Sequence, residues 1–337
     1  MLSSSLWTIR FFAASLSAAA ALAQGACPVN AVFVGLQDQV RGYALRSSGS
    51  TTPCQVLQGP ATALSTARAI AFSKNRYLHV AQFLTNSTVD IFAPDASGNQ
   101  PPFRSFTVSE NDLVSIAVDS KINDFVLSIR QPNLPIFVVP AGATGYQGNA
   151  TVITDPNIQQ YQAIATDRDD NLLAAGYDSS GNARIDTYRT SMSLTAPQMI
   201  RSLTGPGTGL LRGAGTFGTN DLSIALDPES QELAVYNTTA DHTVIQVSIF
   251  ARGASGNVAP SRVISGPLTG IGAPGYAGAG KISVSADGRL FVAESGGRIL
   301  VFAAGASGNT APAQIITDPA LGSAGQGGIA VRSCLCQ

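Results

Sequence analysis

From residue 31 onward, apolar and polar positions alternate in short blocks. Runs of four to six β-branched and aromatic residues, such as "AVFVG" at 31–35, "LFVAE" at 290–294 and "RILVF" at 298–302, are separated by Gly, Pro, Asn, Asp and Ser. Strands bounded by turn chemistry read this way. No stretch of useful length carries the 3.6-residue apolar period of a helix, which excludes βαβ units and helical solenoids. Several runs are apolar throughout, and a sheet with one wet face would alternate more strictly, so the pattern predicts strands covered on both sides.

The turns repeat as well. Residues 302–312 read "FAAGASGNTAP" and residues 250–260 read "FARGASGNVAP". Weaker copies open at Tyr43, Phe92, Val139 and Tyr188, so the anchors lie 49, 47, 49, 62 and 52 residues apart. A period near fifty signals a repeat architecture. Other markers keep the same order: a Gly-Pro or Asp-Pro pair (Gly59-Pro60, Asp155-Pro156, Gly205-Pro206, Gly266-Pro267, Asp318-Pro319), an "IAVD"-like run, then an "LFVAE"-like run. Four short antiparallel strands per repeat predict propeller blades. The quoted phrase is then the turn from a blade's third strand to its outermost one, with Gly supplying positive φ and Pro leading into an edge strand.

Grouping the strands predicts complete blades at about 69–108, 114–154, 162–204, 222–265 and 281–317. One strand remains at the C-terminus, "GGIAV", and three at the N-terminus, "AVFVG", "QVRGYAL" and "CQVLQG". Together they make a sixth blade that closes the ring and leaves no open seam. The expected fold class is all-β, a six-bladed propeller forming one domain over residues 24–337.

The first residues change the picture of location. Arg10 precedes an apolar stretch that ends in Ala21-Leu22-Ala23. This is the layout of a secretory signal peptide over residues 1–23, with an apolar run too short for a comfortable membrane span. A secreted, extracellular protein is expected, periplasmic or at the cell surface in a bacterium, with no membrane insertion. Four cysteines, Cys27, Cys54, Cys334 and Cys336, flank the shared blade. An even count in a secreted chain predicts disulfides, and a bridge from Cys27 to Cys334 or Cys336 would clamp the closure. The sequons at Asn86, Asn149 and Asn237 are glycan acceptors in a eukaryotic secretory pathway.

Charge excludes some partners. Charged residues are 12% of the chain and the formal net charge is -1, without a Lys/Arg run. Nucleic acid and anionic membranes leave a basic footprint that is missing here.

The pattern "ASGNxxPxxxI…GPxTG…IAVDxxGxLFVA", seen best from 250 to 302, resembles six-bladed propellers of the NHL-repeat type. More loosely it is similar to the SMP-30/gluconolactonase-like propellers. The resemblance spans the mature chain and implies architecture first, since such folds host many functions.

Propellers use the mouth of the central channel. Aligning the ends of the second strands places Leu36, Gln82, Arg130, Gly176, Asn237 and Glu294 in one ring, with Gln82, Arg130, Asn237 and Glu294 as candidate ligand contacts. Calcium-dependent hydrolases need converging oxygen ligands. This ring offers one carboxylate and a repelling arginine, so no metal ligands and no cofactor are assigned. Asp119, Asp167, Asp227 and Asp287 follow first strands as turn residues, His79 is a packed strand histidine, and His242 lacks an assignable carboxylate partner. No nucleophile triad assembles, so no catalytic residue is named. "GAGTFG" at 213–218 matches a nucleotide-loop spacing but has no helix after it. The expected function is a monomeric, non-catalytic protein that binds a protein, glycan or small molecule at its disc face or channel mouth. The alternative is a lactonase-like hydrolase using calcium.

Overall fold

The computed structural model describes residues 27–82, 87–108, 113–119, 123–128, 136–148, 150–190, 198–212, 221–272, 280–294, 297–323 and 327–332. The chain folds as a propeller arrangement of small, mainly antiparallel sheets. Five are each drawn from one continuous stretch of chain. Blade 1 runs from Ala67–Phe72 to Arg104–Val108, blade 2 from Leu113–Val118 to Thr151–Ile153, and blade 3 from Gln160–Thr166 to Gln198–Thr204. Blade 4 runs from Leu222–Leu226 to Arg262–Ile264, and blade 5 from Lys281–Val284 to Gln314–Thr317.

A further sheet joins the two ends of the chain. Its order is Ile329–Arg332, Ala31–Gly35, Gln39–Ala44, Gln55–Gln58, and Val32 pairs with Val331 in antiparallel register. The first strands of blades 1 to 5 and the Ile329–Arg332 strand lie side by side in a closed circuit around one channel.

Both faces of each sheet are covered, which accounts for the fully apolar runs. In Ala31–Gly35, Ala31 and Phe33 pack with Ile70, Leu78 and Val80 of blade 1, while Val32 and Val34 pack with Phe291 and Val301 of blade 5. Side chains alternate across a strand, so one run serves two cores. The buried hydrophobic residues accordingly sort into clusters, each shared by two neighbouring sheets.

The repeated phrase does more than turn the chain. Its glycine reaches back to the outer strand of the preceding blade in a parallel bridge: Leu57 with Gly98, Leu203 with Gly256, Ile264 with Gly308. Gly145 pairs with Phe106 and Gly49 with Ile316 in the same sense. At each of the three bridges the glycine N–H donates to a carbonyl of that outer strand, at 2.6–2.7 Å. The phrase therefore latches blade to blade at the rim and protects edge strands that would otherwise present unpaired groups.

The ends are fastened differently from the expected clamp. Cys27 is bonded to Cys54, with Cα atoms 4.9 Å apart, rather than to a C-terminal cysteine. Cys54 N–H donates to the Gly42 carbonyl, and Gly42 lies close against the Cys27 sulfur, so the bridge fills room that only a missing side chain provides. A bridge across 27 positions stabilises by about 3.5 kcal/mol in the chain-entropy picture. Cys334 and Cys336 lie outside the described residues.

The tie between the two ends is instead Arg332, 1% exposed. Its guanidinium donates to the carbonyls of Cys27, Pro28 and Val29, pairs with Asp95 of blade 1 at 2.8 Å, and lies over the Phe33 ring. Five fixed donors in a planar fork suit a cluster of carbonyls that a lysine would serve poorly.

Candidate functional site at the channel mouth

The channel encloses about 270 Å³ and is bordered by the first strands, whose small residues hold neighbouring strands together. Ser115 accepts from Ile164 N–H, Ser223 from Ile282 N–H and Ser283 from Val331 N–H. The mouth is the end at which these strands begin.

Three expected mouth residues are described, and each is turned into the protein. Gln82 accepts from Ser65 N–H at 2.8 Å and donates to the Ala63 carbonyl and to Asp90. Asn237, without exposed surface, donates to the Leu211 carbonyl and accepts from Gln246. A glycan on Asn237 Nδ2 would have to fit beside the Leu211 contact that this nitrogen makes. Glu294 accepts from Gly272 N–H at 2.6 Å and from Arg298 at 2.8 Å. Burial raises the Glu294 carboxyl above its ordinary range, with Gly272 and Arg298 opposing it. All three perform one task, fastening the loop that enters their own blade to its second and third strands. Buried polar groups must be paired, and a loop with free backbone groups supplies the partners. Leu36 is buried and Gly176 has no room for a side chain. Arg130, Asn86 and Asn149 lie outside the described residues, as do the signal segment and "GAGTFG".

Two of the expected turn aspartates bond the backbone of their own turns. Asp167 accepts from the Asp169 and Asn171 N–H groups, and Asp227 from those of Glu229 and Ser230. His79 is buried, and desolvation followed by the Arg104 charge pushes its imidazole down to about 3.

A different set of polar side chains occupies the mouth. Asp221, at the entry to blade 4, has no exposed surface, and among the described residues neither carboxylate oxygen has a hydrogen-bond partner. His242, in the turn between the second and third strands of that blade, brings Nε2 to 3.9 Å from Asp221 Oδ1. Its neighbour Asp241 is spent on Thr239 and Thr243. Among the described residues the buried Tyr177 hydroxyl from blade 3 also has no hydrogen-bond partner, and burial together with the Asp221 charge raises it.

Lys281, at the equivalent entry to blade 5, lines the channel and is 7% exposed. Desolvation and then the Arg68 guanidinium of blade 1 push its amine down to about 7. The sequence sign of these residues is a lone charge opening an otherwise apolar first strand: "DLSIAL", "KISV", "ARAIAF". Among the described residues no group of three or more His, Cys, Asp or Glu is arranged to hold a metal ion.

No family model matches the chain and no curated protein matches it. Solved structures do. One is a protein of unknown function from Bacteroides caccae, 9% identical, with a TM-score of 0.56, covering 90% of this chain and 98% of that one. Another is the hydrazine synthase of Kuenenia stuttgartiensis, 14% identical, with a TM-score of 0.50, covering 80% of this chain and 72% of that one. At such identities the likeness concerns the fold alone. Among the described residues no helix is long and apolar enough to cross a membrane, and a disulfide is compatible with an extracellular location.

Proposed function

We propose that this chain is a secreted, non-catalytic binding protein on a six-bladed, NHL-like propeller, taking a ligand at the mouth of its channel. The carrying observation is the contrast at the mouth. Gln82, Asn237 and Glu294 are consumed by the scaffold, whereas Asp221 and Tyr177 are buried without hydrogen-bond partners among the described residues. A buried polar group left unmade costs about 1–3 kcal/mol, so a fold retains one where a ligand completes it. The sheet built from both chain ends closes the ring of first strands around this mouth, and a site formed before the ligand arrives loses less freedom on binding.

The test is a thermal-shift screen of small polar compounds, glycans and peptides against the wild type and Asp221→Asn. A ligand that binds only the folded form raises the melting temperature. The expected result is a stabilising class whose effect is lost or reshaped in Asp221→Asn. The absence of any such class, together with turnover of a lactone, would overturn the reading.

The approach of His242 to Asp221 favours one second reading, a calcium-assisted hydrolase using that pair. It predicts that calcium raises the melting temperature and that Asp221→Asn abolishes the rise.

A further inference from the structure

We propose that the face opposite the channel mouth carries a second binding site, a cavity between blades 3 and 4 that takes a small aliphatic carboxylate. Its ligand is separate from the one proposed for the mouth.

The cavity encloses about 260 Å³ and is lined by both blades. Its floor is apolar: Leu173, Ile185 and Leu203 of blade 3, with Leu226 and Leu233 of blade 4. Register builds the blade 3 wall. Leu173, Thr187 and Arg201 stand side by side across three strands and so share one face of the sheet. The same row recurs in blade 4 as Ala234, Ile249 and Arg262, and there the cavity against blade 5 encloses only about 30 Å³.

The middle of the row singles out blade 3. It is apolar in the other blades (Ile91, Val138, Ile249, Val301) and a glycine, Gly42, in the closing sheet. Thr187 is 4% exposed, stands in the cavity wall, and its hydroxyl makes no hydrogen bond among the described residues. Buried hydroxyls are ordinarily paired, so this one marks a place for a ligand.

The hydrogen-bond accounting sets the ligand's polarity. Arg201 spends one donor on Asp167 at 3.2 Å, and its Nη1 would lie 3.9 Å from a Cβ on Gly253 of blade 4, so a guanidinium with N–H groups to spare spans the interface. The Asp167 carboxylate is filled by the Asp169 and Asn171 N–H groups, the Asn171 amide and Arg201. Gln231 is likewise spent, accepting from Arg168 N–H and donating to the Asp227 and Pro228 carbonyls. Arg252 lies 3.6 Å from Asp169, and both side chains are more than half exposed. The wall therefore offers donors while its own acceptors are taken. A carboxylate answers a guanidinium fork and a hydroxyl together, and an aliphatic body covers the leucines. The volume lies just below the roughly 300–1,000 Å³ of sites for larger ligands, so it suits a small branched acid.

A ligand-observed NMR titration of the intact protein with isocaproate, isocaproamide and acetate tests this. Isocaproate carries the branched body and the charge, isocaproamide the body alone, and acetate the charge alone. The expected result is saturable binding of isocaproate, with each of the others weaker by roughly tenfold or more. This comparison needs no variant. Thr187→Ile, which installs the residue that blade 4 uses, should abolish binding and leave the melting temperature near that of the wild type. Arg201→Gln should bring isocaproate down to the level of the amide. Asp221→Asn, at the mouth, should leave isocaproate binding unchanged.

Absence of saturable isocaproate binding overturns the site, as does binding that survives Thr187→Ile. An amide that binds as tightly as the acid overturns the carboxylate class. Binding lost in Asp221→Asn and kept in Thr187→Ile would put the ligand at the mouth and remove this second site. Should Thr187→Ile fail to fold, Arg201→Gln and the comparison of acid with amide decide.

Discussion

Two kinds of joint connect an outer strand to the next blade, and they solve one mechanical problem with different chemistry. At the ends of the closing sheet, blade 3 and blade 4 the joint is Gly-Pro-x-Thr. Thr62, Thr208 and Thr269 each donate to the glycine carbonyl at 2.7 Å, and Asn99, Asn257 and Asn309 from the following blade accept from the N–H groups of Ala61, Gly207 and Leu268. At the ends of blades 2 and 5 the joint is Asp-Pro. Asp155 and Asp318 accept from N–H groups two residues on, and their free oxygens take the hydroxyls of Tyr188 and Tyr43.

The choice propagates to the next blade. A glycine joint is followed by Phe at the phrase anchor (Phe92, Phe250, Phe302), and an aspartate joint by Tyr. Either the neighbouring blade caps the turn with Asn, or the turn caps itself and holds the neighbour through Tyr. The lesson is that a repeat can keep its geometry while exchanging the whole set of bonds that holds it.

The largest break in this comparison comes from mixing the two. Gly266 has φ 116° and ψ 166°, a region essentially restricted to glycine, and a Cβ there would lie 2.6 Å from Asn309 Oδ1. Gly266→Asp should cost about 3 to 5 kcal/mol, from backbone strain plus the clash. Adding Asn309→Ala should recover only the clash. Urea unfolding of the single and double variants measures both.

Next in size is the loss of an aspartate joint. Asp318→Ala removes the ion pair to Arg41 at 2.8 Å and strands the buried Tyr43 hydroxyl, which should cost about 2 to 3 kcal/mol. Burial raises the Asp318 carboxyl, but the Ala320 N–H, Tyr43 and Arg41 outweigh it, so it lies below the usual carboxylate range. Its contribution is therefore present above the unfolded value of about 3.9 and lost as pH falls through the lower folded value. Asp318→Asn should flatten that acid limb in a stability-versus-pH series.

At the other aspartate joint a neighbouring carboxyl carries the opposite sign. Asp186, fully buried, is raised to about 6 by desolvation and by its bond to Asp155, with Arg184 and Ser202 opposing. Asp155 is lowered: burial would raise it, but the Asp186, Tyr188 and Asn157 bonds prevail. The two carboxyls are thus pushed apart, Asp155 towards the charged form and Asp186 towards the protonated one. A raised carboxyl contributes fully below its unfolded value and loses that contribution as pH rises through about 6. Asp186→Asn should remove a decline in stability between about pH 4 and 6, read by melting temperature. A decline that persists in the variant would place its origin elsewhere.

The strands and the union of the chain ends were legible because each core strand is read twice, once by each neighbour, which forces continuous apolar runs between repeated turns. Observed blade limits differ from the expected ones by at most two residues. The site was less legible. Gln82, Asn237 and Glu294 stand at the expected strand ends, but pattern does not show that a loop behind them needs their hydrogen bonds. Lys281 and Asp221 are single charges in apolar strands and belong to no recurring motif. Arg332 binds carbonyls some 300 positions away in the chain, and a carbonyl leaves no mark in a sequence. The Cys27–Cys54 pairing followed from space at Gly42, which spacing does not reveal.

The smallest effect sharpens the comparison most. Asn309 Oδ1 caps Leu268 N–H at 2.7 Å in an exposed turn. Asn309→Ala should cost about 1 kcal/mol, because water recovers part of an exposed bond. The position seven residues after the anchor is Ser50 in the phrase following blade 5, where Asp318 already caps Ala320 N–H. Ser50→Asn should therefore change stability by less than about 0.5 kcal/mol, as ordinary surface substitutions do. If it stabilised by as much as Asn309→Ala destabilises, the Asp-Pro turn would need its neighbour's amide after all, and self-capping would not distinguish the two joints.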